Sequence, residues 1–256
     1  MTNFKNVELE NYKGATIDDC ITYAVGDVES YLKDYFEAES ISATENLMNK
    51  RLIDVPNFNQ KKLNEHYNFH NRDDSQGDIT NTCTIVACLG LVHYFGNDLG
   101  EFYIEDKMSS NVFVKIFDHC YENGYTTRNL GTPASKVNNC LTSSFELYGS
   151  ERKGNTNWYN LDVSLLENIN IKNEPLILDL KKHSTVACGI TTFSYSGLKK
   201  FTTGSLWWKK TEVRSISGEI AFIIVNEGLG YDTRSLVLLD KITNITDDIQ
   251  VCIPKL

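Results

Sequence analysis

The chain has 256 residues and a mass of 29.1 kDa, with 41% hydrophobic and 11% aromatic residues, 4 prolines and 16 glycines. Such a chain can bury a sizeable core, which excludes fibrous and disordered classes. Lys plus Arg total 25 against 34 Asp plus Glu, a net charge of -9, so bulk charge works against binding to nucleic acid or anionic membranes.

No window is apolar enough for a membrane span, and residues 1–14 lack the apolar stretch of a secretory leader. The expectation is a cytoplasmic protein, or a secreted one whose leader has been removed. Seven cysteines are scattered without paired zinc-type spacing or a regular disulfide framework, and most are expected to serve as small buried hydrophobes.

In chain order, apolar residues at helical spacing over 17–36, with Thr16 and Asp19 as a capping pair, predict an amphipathic helix. A weaker helical pattern spans 40–51. Val55-Pro56-Asn57 then predicts a turn into an irregular polar segment that ends near Gln76-Gly77. Residues 83–95 are apolar nearly all round and predict a buried central helix, with Asn81 or Thr82 as its N-cap. Phe113, Ile116, Phe117 and Cys120 mark a second helix stopped by Gly124, Thr132-Pro133 opens a third, and residues 162–169 predict a fourth. Beyond Glu174, the runs LILDL, STVACGITTF, SLWWKKTEV, EIAFIIV and SLVLL are short, β-branched or aromatic, and separated by turn residues. Helices first and strands second predict an α+β chain with an antiparallel sheet.

Four residues carry candidate chemistry. Cys83 opens the central helix, where free backbone N–H groups and the helix dipole favour a thiolate; its ordinary alternative is a buried small residue. His183 begins an apolar strand after Lys181-Lys182, placed as a base facing a cleft or as a surface histidine. Asn226 closes EIAFIIV before the turn NEGLG, where its amide either fixes an imidazole tautomer or serves the turn. Gln76 precedes Cys83 in a loop, within reach of an oxyanion at that cysteine, or is plain loop chemistry. The acidic run around Asp73, Asp74 and Asp78 favours a basic substrate or is a solvated loop. Motifs of serine hydrolases, P-loop proteins and zinc peptidases are missing.

The order Gln76, Cys83, His183, Asn226, carried by QGDITNTCTIVACLGLVHYF, NEPLILDLKKHSTVACGI and FIIVNEGLG, resembles the papain-like cysteine peptidases, notably bacterial branches related to streptopain and the C39-like peptidases. The likeness covers about residues 52–256 and rests on the Q-G dipeptide, the helix running from the cysteine, the histidine and Gly189 on one strand, and the asparagine before a glycine-rich turn. It implies a helical lobe packed on an antiparallel sheet lobe, with Cys83 as nucleophile, His183 as base, Asn226 as orienter and Gln76 as oxyanion-hole side chain. The implied activity is peptide-bond hydrolysis through an acyl-enzyme, on a peptide or protein lying in a groove, with no metal or organic cofactor. A related acyl transferase or deamidase, and an inactive binding module, are the alternatives.

The pattern departs from the family in places. The Gln-to-Cys spacing is one residue longer than usual, Thr84 follows the cysteine, and the stretch YSGLKKFTTGSLWWKK is expected to form an added hairpin near the cleft. NEGLG lacks the family's shielding tryptophan, a role that falls to Trp207 or Trp208. Residues 1–51 are read as a helical N-terminal extension or a pro-segment, and 52–256 as the catalytic domain. Oligomeric state is left open.

Overall fold

A computed structural model describes residues 20–70, 77–98, 106–158, 169, 172–180, 183–204, 208–228, 234–239 and 250–255. Within them are five α-helices: α1 (Val25–Tyr35), α2 (Gln60–His70), α3 (Cys83–Asp98), α4 (Asp106–Glu122) and α5 (Val137–Glu146). The strands are β1 (Cys20–Thr22), β2 (Ala38–Glu45), β3 (Arg51–Leu52), β4 (Lys153–Trp158), β5 (Leu176–Leu180), β6 (His183–Thr203), β7 (Lys210–Asn226), β8 (Ser235–Leu238) and β9 (Gln250–Lys255). Every described pairing between these strands is antiparallel, and the sheet order is β1-β8-β7-β6-β5-β9-β4. The class is α+β with an open antiparallel sheet.

The long hairpin β6–β7 organises the sheet. β7 pairs with β6 from Val186 to Thr203, while the opposite edge of β6 is covered in turn by β5, β3 and β2. Gly189 marks the handover beside a bulge. A Cβ there would lie 2.5 Å from the Arg51 carbonyl oxygen, so only glycine lets β3 approach this closely. The first half of β6 is buried, and from Ser194 outward its residues are exposed or half-exposed. The added hairpin expected near the cleft is therefore the outward extension of β6 and β7, leading away from it.

The apolar sequence of α3 is explained by its surroundings. Leu89 and Leu91 are fully buried, and the helix packs on β5 and β6 as well as on α4 and α5. α4 ends before Gly124, which adopts φ +69. Pro133 precedes the 3-10 turn Ala134–Lys136 that leads into α5. Cys88, Cys120, Cys140 and Cys188 are buried, whereas Cys20 and Cys83 keep partial exposure.

Two expectations for the N-terminal region are corrected. Residues 20–22 form strand β1 against β8, and the helix begins only at Val25; the expected cap at Thr16 and Asp19 lies outside the described residues. Residues 40–51 are not helical. The segment AESISATE pairs with Phe193–Lys199 of β6 through a register shift between Ala38 and Ser40, and only Leu47–Asn49 makes a helical turn. Long-range pairing overrode a weak local pattern. The expected boundary between residues 51 and 52 falls inside β3, and Val28 and Leu32 of α1 are completely buried, with Tyr31 edge-on to Phe222 of β7. The helix expected over 162–169 lies almost wholly outside the described residues.

Candidate active site

The approach to Cys83 is held by a polar ladder that the sequence pattern conceals. Gln60, Asn64 and Asn68 recur every four residues on α2 and so share one face. Gln60 and Asn64 donate to the Thr80 carbonyl, and Asn68 brackets Ile79 by accepting from its N–H and donating to its carbonyl. Thr82 donates its hydroxyl to Asn64 at 2.6 Å. From the other side, Arg128 donates to the Gly77 carbonyl while its guanidinium lies 5.6 Å from both the Tyr67 and Tyr121 ring centres. Gly131, at φ +72, passes so close that a Cβ would sit 2.5 Å from the Asn81 carbonyl oxygen. The stretch expected to be irregular up to residue 77 thus contains a helix whose asparagines clamp the loop before Cys83. The four-residue asparagine spacing was the available signal.

Cys83 is the first residue of α3, with Thr82 accepting from the Val86 N–H. Ser184 lies beside it across the cleft wall, and Thr84 and Ser184 share a hydrogen bond of 2.9 Å. Ser184 also donates to Asp179 at 2.7 Å. As a residue Cys83 is only half-buried, yet its sulfur is deep enough that burial dominates and pushes the thiol pKa above its ordinary value. Asp179 adds to that rise, and the Ser184 N–H opposes it. The thiol is therefore neutral near pH 7.

His183 opens β6 and is buried. Its Nε2 lies 3.0 Å from the Glu227 carbonyl oxygen. A carbonyl only accepts, so Nε2 carries the proton, and in the neutral ring the basic lone pair is on Nδ1. Burial lowers the ring's pKa, and the Glu227 carbonyl offsets part of that fall. Ser184, the next residue of β6, bonds Thr84 of α3. Among the described residues no hydrogen bond joins Cys83 to His183.

Asn226 stands at the expected strand end but has other partners. Its amide donates to the Val55 carbonyl at 2.9 Å, and its Oδ1 accepts from the Cys188 thiol at 3.5 Å. The group bonded to the His183 ring is the neighbouring Glu227 carbonyl, and Asn226, expected as the orienter, bonds Val55 and Cys188. Asn226 instead ties β7 to the segment before α2, and Gln60 N–H closes the same wall on the Gly228 carbonyl at 2.6 Å. Replacing Asn226 by alanine strips a buried carbonyl of its donor and is expected to cost about 1–3 kcal/mol of stability. Urea unfolding measures this; a loss under about half a kcal/mol contradicts the anchoring role.

Gln76 and Trp207 lie outside the described residues. Trp208 lies beyond the outer end of β6, across the long hairpin from His183, and is 83% exposed, so it does not shield the histidine.

Together these walls border a small cleft, open to solvent and lined by Cys83, Ser184, Pro56, Phe58, Val86 and Glu227 among others. The space inside it is about 10 Å³, room for about one water molecule. No group of three or more metal-ligating side chains occurs among the described residues. No helix among them is long and apolar enough to cross a membrane. No family model, curated protein or solved structure matches the chain.

Proposed function

We propose that the chain is a thiol hydrolase of papain-like architecture that cleaves peptide bonds through an acyl-enzyme. The observation that carries this reading is the placement of Cys83 at a helix start, lining an open cleft beside Ser184, the residue that follows a histidine whose Nε2 is engaged by a carbonyl and whose Nδ1 is free. As the Cys83 sulfur bonds to the substrate carbonyl carbon, its proton passes to Nδ1 of His183. The Cys83 N–H, in the first turn and without an intrahelical acceptor, faces the developing oxyanion. Breakage of the C–N bond sends that proton to the leaving amine. Water then attacks the thioester, giving one proton to His183 and returning the thiol and a free carboxylic acid. Because both groups start neutral, the proton moves during attack; bringing Nδ1 to the sulfur requires the pair to close on substrate, as catalytic hydrogen bonds commonly do.

A peptide vinyl sulfone tests this. It is expected to modify Cys83 ahead of Cys20 in intact protein, and the wild-type chain is expected to cleave unfolded casein while Cys83→Ser does not. No cleavage, with Cys83 no more reactive than Cys20, overturns the hydrolase reading. One observation favours a second reading, a binding module without turnover: the neutral thiol and ring are not bonded to each other.

A further inference from the structure

We infer that His66 and His70, one turn apart at the C-terminal end of α2, together chelate one divalent transition-metal ion. The site needs nothing from Cys83 or from peptide hydrolysis.

Residues four apart on a helix share a face, and the two imidazole ring centres are 4.5 Å apart. A metal–nitrogen bond of about 2.1 Å, plus about 1.1 Å from nitrogen to ring centre, sets two rings at right angles around one ion with centres about 4.5 Å apart. A tetrahedral pair needs about 5.2 Å by the same reckoning. The spacing therefore suits the right-angled positions of an octahedral or tetragonal ion such as Ni²⁺ or Cu²⁺, both of which favour imidazole. His70 is exposed and His66 half-buried, so the ion reaches them from solvent and each ring has room to aim a nitrogen at it.

The chemistry around the pair is that of a cation site. Neither histidine has a hydrogen bond or an ion pair among the described residues, unlike His183, whose Nε2 is engaged by a carbonyl. Burial, and then the charge of His70, lower the His66 pKa, so that ring is neutral at pH 7 and ready to ligate. The pair spans the last turn of α2, where carbonyls without intrahelical donors and the helix dipole favour positive charge. Lys61 and Lys62 stand in the first turn, and helix side chains lean towards the N-terminus, which carries both away from the pair. No third ligating side chain joins the two among the described residues, so water completes the coordination.

The site also bears on the candidate active site. Asn68 lies between the two ligands and makes both hydrogen bonds that bracket Ile79. An ion that clips the last turn of α2 therefore steadies the loop leading to Cys83.

Isothermal titration of the full chain with Ni²⁺, which leaves thiols unoxidised, tests this. The wild-type chain is expected to bind one Ni²⁺ that His66→Ala and His70→Ala each bind at least about tenfold more weakly, about 1.4 kcal/mol. Electron paramagnetic resonance of the wild-type chain with one equivalent of Cu²⁺, which needs no variant, is expected to show two nitrogen ligands. No Ni²⁺ binding up to about 1 mM, equal affinity in the folded variants, or a copper spectrum with fewer than two nitrogens overturns the inference. Hydrogen exchange of the peptide containing Ile79 is expected to slow on adding Ni²⁺ to the wild-type chain and not to His66→Ala. Exchange that stays unchanged in the Ni²⁺-bound wild type overturns the link to the loop.

Discussion

His183→Ala is expected to lower peptide hydrolysis by about 10²–10⁴-fold, the usual contribution of a positioned general base, with the circular dichroism of the folded chain retained. The pH profile separates a base from a merely structural residue. Burial holds the His183 pKa below the ordinary 6.5 of histidine, and the working form is the unprotonated ring. Hydrolysis is therefore expected to persist as the pH falls through 6.5 and to decline only below it. An acid limb at or above 6.5 contradicts this assignment.

Folding adds its own pH dependence in the same window. A histidine with a depressed folded-state pKa lets the unfolded chain take up a proton first, so stability begins to fall below about 6.5 and continues down to the folded value. His93, buried beside Phe58 at a ring distance of 4.8 Å, acts in the same direction, its pKa pushed down to about 4 by burial. Rates below pH 6.5 must accordingly be read against a melting curve taken in the same buffer.

Deleting residues 1–51 is expected to abolish cooperative folding of the remainder. The deletion removes β1, α1 and β2 and cuts into β3, opening the β6 edge from Gly189 to Lys199. Val28 and Leu32 alone bury side chains worth about 3–6 kcal/mol together, a large share of the 5–15 kcal/mol or so that holds a domain folded. Removing Tyr31 also uncovers Phe222, which is fully buried and packs edge-on against Phe193 at 5.7 Å. Thermal unfolding of the 52–256 fragment, followed by far-ultraviolet circular dichroism, checks this. A sharp transition near that of the full chain would mark the segment as a removable pro-segment.

Much of the helix and strand content was legible because it is local. Cysteine and leucine on every face of α3 demand burial, Gly124 can turn where other residues strain, and LILDL and SLVLL have the β-branched and aliphatic character of buried strands. The fate of AESISATE was not legible, since its partner lies about 150 residues away on β6. Neither was the clamp of α2 on residues 77–82: a run of asparagines reads as polar loop until its four-residue spacing meets a backbone to bind.

The same division runs through the candidate site. Residue type and chain order alone placed Cys83 at a helix start, His183 at a strand start and Asn226 at a strand end, because helix caps and strand ends are written in short-range composition. Which hydrogen bonds those side chains make depends on groups far apart in the chain. Folding gave the Asn226 amide to Val55 and the His183 ring to the Glu227 carbonyl. A polar side chain takes whichever buried partner the packed chain brings within about 3 Å, and no pattern along the sequence encodes that competition.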